Sequence, residues 1–271
     1  MTAPLVLALF GQPVSHSRSA QIHTAFARQT GMEVDYRVVE TAPGELPDAL
    51  SALRRDGGVG ANLTVPLKQD GYRLCDSLDE PARMAGAVNT LLWQGTGWKG
   101  FNTDGAGLAG DLERLGLDPG GRMVLILGAG GAAAGILGPL LDKSPAGVLI
   151  ANRSADKARS LARASGSGLV EGGPLDTPDD REPFDLIIQA TSLGHQGAGA
   201  RLKPGWLHSR TVVYDLNYGP AHQSFATECA RHNLSCHDGL GMLVGQAAAS
   251  FKIWTGTRPR VEPVIRLLRD Q

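Results

Sequence analysis

The chain has 271 residues, 42% of them hydrophobic, and a net charge of −1, the profile of an ordinary globule with room for two domains or one large one. That balance offers no broad positive surface for a nucleic acid, so basic groups matter only locally. No apolar run is long enough to cross a bilayer: residues 132–141 are too few, and Gly135, Gly138 and Pro139 interrupt them.

Residues 5–10 are apolar, have no basic residue before them and end in Gly11-Gln12-Pro13, which predicts a strand rather than a signal peptide. Periodicity then predicts a helix over 19–29, a strand over 35–40, a helix over 44–56, a strand over 60–65 and a helix over 69–75. Residues 87–93 and 97–102 read as a hairpin. Repeated β-α-β order implies a mainly parallel sheet wrapped by helices. Asp104 suits the N-cap of a helix after Gly105.

A second β-α-β unit follows. Leu125-Ile126-Leu127 runs into Gly128-Ala129-Gly130-Gly131-Ala132-Ala133, and a second strand over 147–152 ends in Asn152-Arg153-Ser154. In a chain with 36 glycines a Gly-x-Gly-x-x-Ala pattern arises by chance, but flanked by two strands it reads as a dinucleotide-binding turn. Gly128 permits the tight turn, Gly130 lets the backbone approach pyrophosphate, and Ala133 permits close helix–strand packing. The helix N-terminus offers its unpaired N–H groups to the anion. Where an NAD-specific fold ends the second strand in Asp or Glu, this chain has neutral Asn152 and then Arg153, whose guanidinium suits a 2′-phosphate. Lys157 and Arg159 stand close enough in sequence to share it. Asp156 reads as a complement to the next helix's dipole. The expected cofactor is NADP.

Later strands are expected over 184–190 and 211–216, a long Ala-rich helix over 239–255 and a last helix over 261–270. Glu171-Gly172-Gly173-Pro174 and residues 196–201 read as loops. Cys75, Cys229 and Cys236 are odd in number and lack C-x-x-C, which argues against a disulfide framework. Cys229-x-x-His232-x-x-x-Cys236-His237 fits no common zinc spacing, so no metal is expected. The expected organisation is a first α/β domain over 1–104, a Rossmann-type dinucleotide domain over 105–238, and C-terminal helices over 239–271 returning to the first domain.

The first half also carries Gly11–Ser19 with Ser17 and Ser19, Asn62-Leu63-Thr64-Val65-Pro66-Leu67-Lys68, Gly86-Ala87-Val88-Asn89-Thr90 and Asn102-Thr103-Asp104-Gly105. Tyr214-Asp215-Leu216-Asn217-Tyr218 and Asp238-Gly239 through Gln246-Ala247 stand late in the chain. In this order, with the glycine turn and Asn152–Ser154, these motifs closely resemble the shikimate dehydrogenase family over essentially the whole chain. Gln12, Ala20, Gln189 and His195 depart from its usual pattern, the last two beside the nicotinamide end.

The resemblance implies NADP-dependent interconversion of 3-dehydroshikimate and shikimate, on the route to chorismate and the aromatic amino acids. It implies that Lys68 and Asp104 are the catalytic pair, with Lys68 the base and Asp104 its orienting and substrate-binding partner. Lys68 opens a helix after Pro66, where the dipole disfavours a cation and a surface lysine is rarely placed. Ser17 and Ser19 are either a helix cap or, as the resemblance implies, a carboxylate site completed by Tyr218. Thr64, Asn89 and Gln246 match positions that bind the ring hydroxyls or carboxylate, which suits amides that donate and accept at once. The expected cofactor contacts are Gly128, Ala129, Gly130, Gly131, Ala132, Asn152, Arg153, Ser154, Lys157, Thr191, Leu216 and Gly239. The chain is expected to be cytoplasmic and a monomer or homodimer. Rival readings are a quinate/shikimate dehydrogenase with broader cofactor use and an NADP-binding regulatory protein, the latter expected to lack Lys68 or Asp104.

Overall fold

A computed structural model of the chain describes residues 4–176, 182–191 and 200–270. In chain order the elements are β1 (Leu5–Gly11), α1 (Ser19–Thr30), β2 (Val34–Glu40), α2 (Leu46–Arg55), β3 (Gly60–Leu63), α3 (Lys68–Leu74), β4 (Ser77–Leu78), α4 (Glu80–Ala85), β5 (Thr90–Trp93), β6 (Trp98–Phe101) and α5 (Asp104–Arg114). They continue with β7 (Met123–Leu127), α6 (Gly131–Leu141), β8 (Gly147–Asn152), α7 (Ala155–Ala164), β9 (Val170–Pro174), β10 (Leu186–Gln189) and β11 (Val212–Asp215). Last come α8 (Pro220–Arg231), β12 (Ser235–His237), α9 (Leu240–Thr255) and α10 (Glu262–Arg269). Two compact units result: Met1–Gly107 with Leu243–Gln271, and Leu108–Met242. The chain passes from one to the other within α5 and returns within α9.

The first unit holds a six-stranded sheet in the order β2-β1-β3-β5-β6-β4, in which only β5 runs against its neighbours. Amphipathic spacing explains the helices that cover it. Leu46, Leu50 and Leu53 recur at helical intervals on α2 and bury one face of it, as Val264, Ile265 and Leu268 do on α10. Each such side chain contributes about 1.5–3 kcal/mol on burial. Glycines let elements approach: a Cβ on Gly60 would strike the Trp254 indole, whose Nε1 donates to Leu91 O at 2.9 Å. The indole thereby docks α9 on the sheet.

The second unit is an all-parallel sheet in the order β12-β11-β10-β7-β8-β9. Counting from β7, this is the 3-2-1-4-5-6 arrangement of a Rossmann fold, with the order reversing between β7 and β10. Its inner strands β7, β8, β10 and β11 are largely apolar on both faces because both are covered. Val124, Ile126, Val148, Ile150, Leu186 and Ile188 pack with Ile136, Leu140 and Ala158 of α6 and α7. Leu125, Leu127, Leu149, Ile187 and Val213 pack instead with Phe184, Trp206, Phe225 and Cys229. No helix among the described residues is long and apolar enough to cross a membrane.

One expected loop is a strand. Residues 171–174 belong to β9, paired in register with β8. Gly172 is there because the Ala158 backbone of α7 crosses so close that a Cβ would lie 2.3 Å from it; a close approach, not a turn, required the glycine. Short β4, α4 and β12, and the longer α8, were not anticipated. Residues 196–199 of the other expected loop, and His195, lie outside the described residues.

Candidate active site

Sheet topology gathers the first unit's chemistry at one edge. β1 and β3 are parallel neighbours, so their carboxyl ends lie side by side, and the segments that follow them carry Ser17 and Ser19, and Thr64 and Lys68. β5 is antiparallel to both β3 and β6, so its amino end, preceded by Asn89, meets the carboxyl end of β6, followed by Asn102–Asp104.

Lys68 and Asp104, 36 residues apart in sequence, form an ion pair there: Lys68 Nζ donates to Asp104 Oδ2 at 2.5 Å, the side chains 21% and 8% exposed. Lys68 is the first residue of α3, and Asp104 the first of α5. Asp104 Oδ1 accepts from Asn89 Nδ2 at 2.7 Å, and its backbone N–H donates to Asn102 Oδ1 at 3.1 Å. The second Asn89 N–H goes to Thr103 Oγ1 at 3.0 Å, while Asn89 Oδ1 accepts from Thr103 N and Thr90 Oγ1, both at 2.9 Å. The whole Asn89 amide is thus turned toward protein, and its direct effect here is to aim the Asp104 carboxylate.

Behind Asn89 the network continues into the core. Ser250 Oγ of α9 lies 2.7 Å from Thr90 Oγ1 and 3.3 Å from Thr103 Oγ1, and donates to Gln246 O at 3.0 Å. Asn62 Nδ2 reaches Asn89 O, Thr90 Oγ1 and Ser250 Oγ at 3.1–3.2 Å, and its Oδ1 accepts from Tyr36 OH at 2.7 Å. Gln246 is half-buried, one helical turn before Ser250, its Oε1 3.4 Å from Thr103 Oγ1. Asn62, Thr90, Thr103 and Ser250 had no role in the sequence reading. The first three lie inside quoted motifs, whereas Ser250 carried no signal beyond its i+4 spacing from Gln246.

The serines are not acting as an ordinary cap. Helix α1 has Arg18 at its N-cap position with no side-chain cap bond; Ser17 Oγ accepts from Ser19 N at 3.2 Å and donates to Ser19 Oγ at 3.0 Å. Thr64 stands half-buried after β3, its methyl against Gly11.

The second unit supplies a different edge. Gly128 has φ +113°, a conformation only glycine adopts readily, and a Cβ there would meet Ala190 and Thr191 at 3.1 Å. Gly130 and Gly131 face open space, and α6 starts at Gly131, so its first N–H groups point outward beside Ala129 and Ala132. Buried Ala133 packs below, as expected. This open, side-chain-free turn at a helix N-terminus leaves room for an anion such as a dinucleotide's pyrophosphate. Beyond β8, Asn152 Nδ2 donates to Ser154 O at 3.0 Å, while Arg153, Ser154 and Lys157 are exposed. Arg159 pairs with Asp156 at 3.0 Å. Gly239 sits on the Leu216 backbone, where a Cβ would lie 2.2 Å from Leu216 O, and Thr191 and Tyr218 are half-buried. Among the described residues no group of three His, Cys, Asp or Glu is placed to hold a metal ion.

The chain is similar to known proteins along nearly its whole length. Residues 9–91 match the shikimate dehydrogenase substrate binding domain, 113–196 the shikimate/quinate 5-dehydrogenase family and 239–269 the shikimate 5′-dehydrogenase C-terminal domain. The NADP(+) shikimate dehydrogenase of Xanthomonas campestris pv. campestris is 46% identical, the alignment covering 97% of this chain and 94% of the relative. The enzyme of the same name from Dechloromonas aromatica is 43% identical over 96% of each chain. Among solved structures, shikimate 5-dehydrogenase from Thermus thermophilus, in complex with NADP(H) and shikimate, superimposes with a TM-score of 0.86 at 30% identity, over 98% of this chain and 99% of that one. This chain belongs to the shikimate dehydrogenase family.

Proposed function

We propose that the chain is an NADP-dependent dehydrogenase that interconverts 3-dehydroshikimate and shikimate in the cytoplasm, with Met1–Gly107 and Leu243–Gln271 forming the substrate-binding unit and Leu108–Met242 the NADP-binding unit. The observation that carries this reading is the mostly buried Lys68–Asp104 pair at 2.5 Å, held in turn by Asn89. Oxidising a carbinol removes a hydride from carbon and a proton from oxygen, so a base must lie within hydrogen-bond reach of that hydroxyl. NADP, when bound, supplies the hydride acceptor. Lys68 takes the hydroxyl proton and returns it in ketone reduction; Asp104 holds the ammonium and accepts from a ring hydroxyl. Ser17 and Ser19 hold the carboxylate, and Thr64, Asn89 and Gln246 the ring, with Asn89 exchanging one internal bond to do so.

For the cofactor, the Gly128–Ala132 turn takes the pyrophosphate and Arg153, aided by Asn152, Ser154 and Lys157, the 2′-phosphate. Thr191, Leu216 and Gly239 line the nicotinamide end. Initial rates with shikimate and with quinate, each with NADP and NAD, test the assignment. The expected result is turnover dominated by shikimate with NADP. A preference for quinate or for NAD would instead give the broader quinate/shikimate activity.

A further inference from the structure

Asp215, the last residue of β11, is a carboxylate with no exposed surface in the second unit. A buried carboxylate persists only when its oxygens are bonded. Here Oδ1 accepts from Asn217 N at 3.0 Å and Asn217 Nδ2 at 2.8 Å, and Oδ2 accepts from Nδ1 of His222, in the first turn of α8, at 2.9 Å. The Asn217 side-chain amide also donates to Thr191 O at 3.1 Å, and the Asn217 backbone carbonyl accepts from Gly239 N at 2.9 Å. From the other side, Gln189, the register partner of Asp215 on β10, clamps Thr191: its Oε1 accepts from Thr191 N at 2.9 Å and its Nε2 donates to Thr191 Oγ1 at 2.8 Å. This chain of bonds runs along the carboxyl ends of β10 and β11, the edge where open α/β sheets bind ligands, and ends against the Gly128 turn.

We propose that His222 is a positioning residue for hydride transfer: its bond to Asp215 fixes the Leu216–Tyr218 turn and, through Asn217, the Thr191 backbone at the nicotinamide end. The proposal rests on the dehydrogenase reading above, which gives Thr191 and Leu216 their ligand. Without His222 the buried Oδ2 loses its donor, the carboxylate turns to find another, and Asn217 no longer has one fixed partner set. The 2′-phosphate end of the cofactor is assigned to Arg153, which follows β8, a strand that β7 separates from β10 and these residues.

Two readouts separate positioning from folding: the dissociation constant of adenosine 2′,5′-bisphosphate, and kcat for shikimate oxidation with its isotope effect when the carbinol carbon is deuterated. For His222→Ala the expected result is a roughly tenfold fall in kcat, a larger isotope effect, and adenosine 2′,5′-bisphosphate affinity within about twofold of wild type. His222→Asn, which returns a donor near the Nδ1 position, should recover most of the rate. Gln189→Leu, which frees Thr191 from the β10 side, should give the same signature and serves if His222→Ala does not fold. An unchanged kcat and isotope effect, or an equal loss of bisphosphate affinity, overturns the proposal while leaving the dehydrogenase reading intact. A wild-type protein that does not turn over shikimate with NADP removes both.

Discussion

The edge that carries Lys68 and the edge that carries Gly128 are made of different material. In the first unit side chains hold one another, from Lys68 to Asp104, Asn89, Thr90 and Thr103, and on to Ser250 and Asn62. In the second the edge is backbone at Gly128–Ala132, with exposed Arg153 and Lys157 beyond β8. A reacting hydroxyl must be met at one geometry by groups locked beforehand, which takes a network. A diphosphate needs N–H groups, space and charge, which a short turn provides. Substitutions should therefore spread through the first edge and stay local in the second.

The hardest test of the wired edge is Lys68→Ala. Turnover should fall by about 10²–10⁴-fold, with a smaller change in KM for shikimate, as measured by initial rates. Near-normal turnover would place Lys68 outside the reaction.

Arg153→Ala tests locality on the other side. Loss of a charged hydrogen bond to the 2′-phosphate should weaken NADP by about 10- to 150-fold and leave NAD unchanged. Exposed Lys157 can take part of the load, whereas Arg159 is already paired with Asp156, so the loss falls toward the lower limit. Titrating both cofactors decides it, and equal losses contradict the assignment.

Replacing Ser17 and Ser19 together by Ala should raise KM for shikimate about tenfold while NADP affinity holds. A drop in stability of about 0.5–2 kcal/mol with unchanged kinetics would make them a helix cap after all.

An effect on stability rather than on kinetics lies beneath the wired edge. His23 has no exposed surface and stacks on Tyr36, ring centroids 4.4 Å apart, with Phe251 and Trp254 around it. Burial pushes its pKa from the ordinary 6.5 down to about 3. The folded protein therefore keeps the ring neutral where the unfolded chain protonates it, and stability is lost as pH falls from 6.5 toward about 3. This site alone adds a slope of up to ~1.4 kcal/mol per pH unit. Urea unfolding across that range should show a flatter acid limb for His23→Phe, and parallel curves would refute the assignment.

How much of this could be read in advance follows the same division. The glycine turn was legible because the residue type is forced: φ +113° at Gly128 excludes a side chain, so the pattern survives as letters. Lys68 stood out by its place at a helix start, but its pairing with Asp104 was legible only through family resemblance. Spacing says nothing of a pair 36 residues apart, and Asp104 by itself read as a helix cap. β9 was misread because Gly172 serves a close approach with the residue type that also makes turns. Ser250 and His222 left no trace, since each acts through another side chain and its partner is set by which strands lie side by side.

The discontinuity of the first unit bears on the order in which the protein is made. Everything in Leu108–Met242 leaves the ribosome as one uninterrupted stretch, whereas the unit begun at the N-terminus is completed only by Leu243–Gln271. Domains fold as their residues emerge. The Rossmann unit can therefore finish while the Lys68–Asp104 edge still lacks Ser250 behind it and Trp254 on its sheet. All six strands of the second sheet precede Met242, whereas the first sheet waits for α9 to be covered.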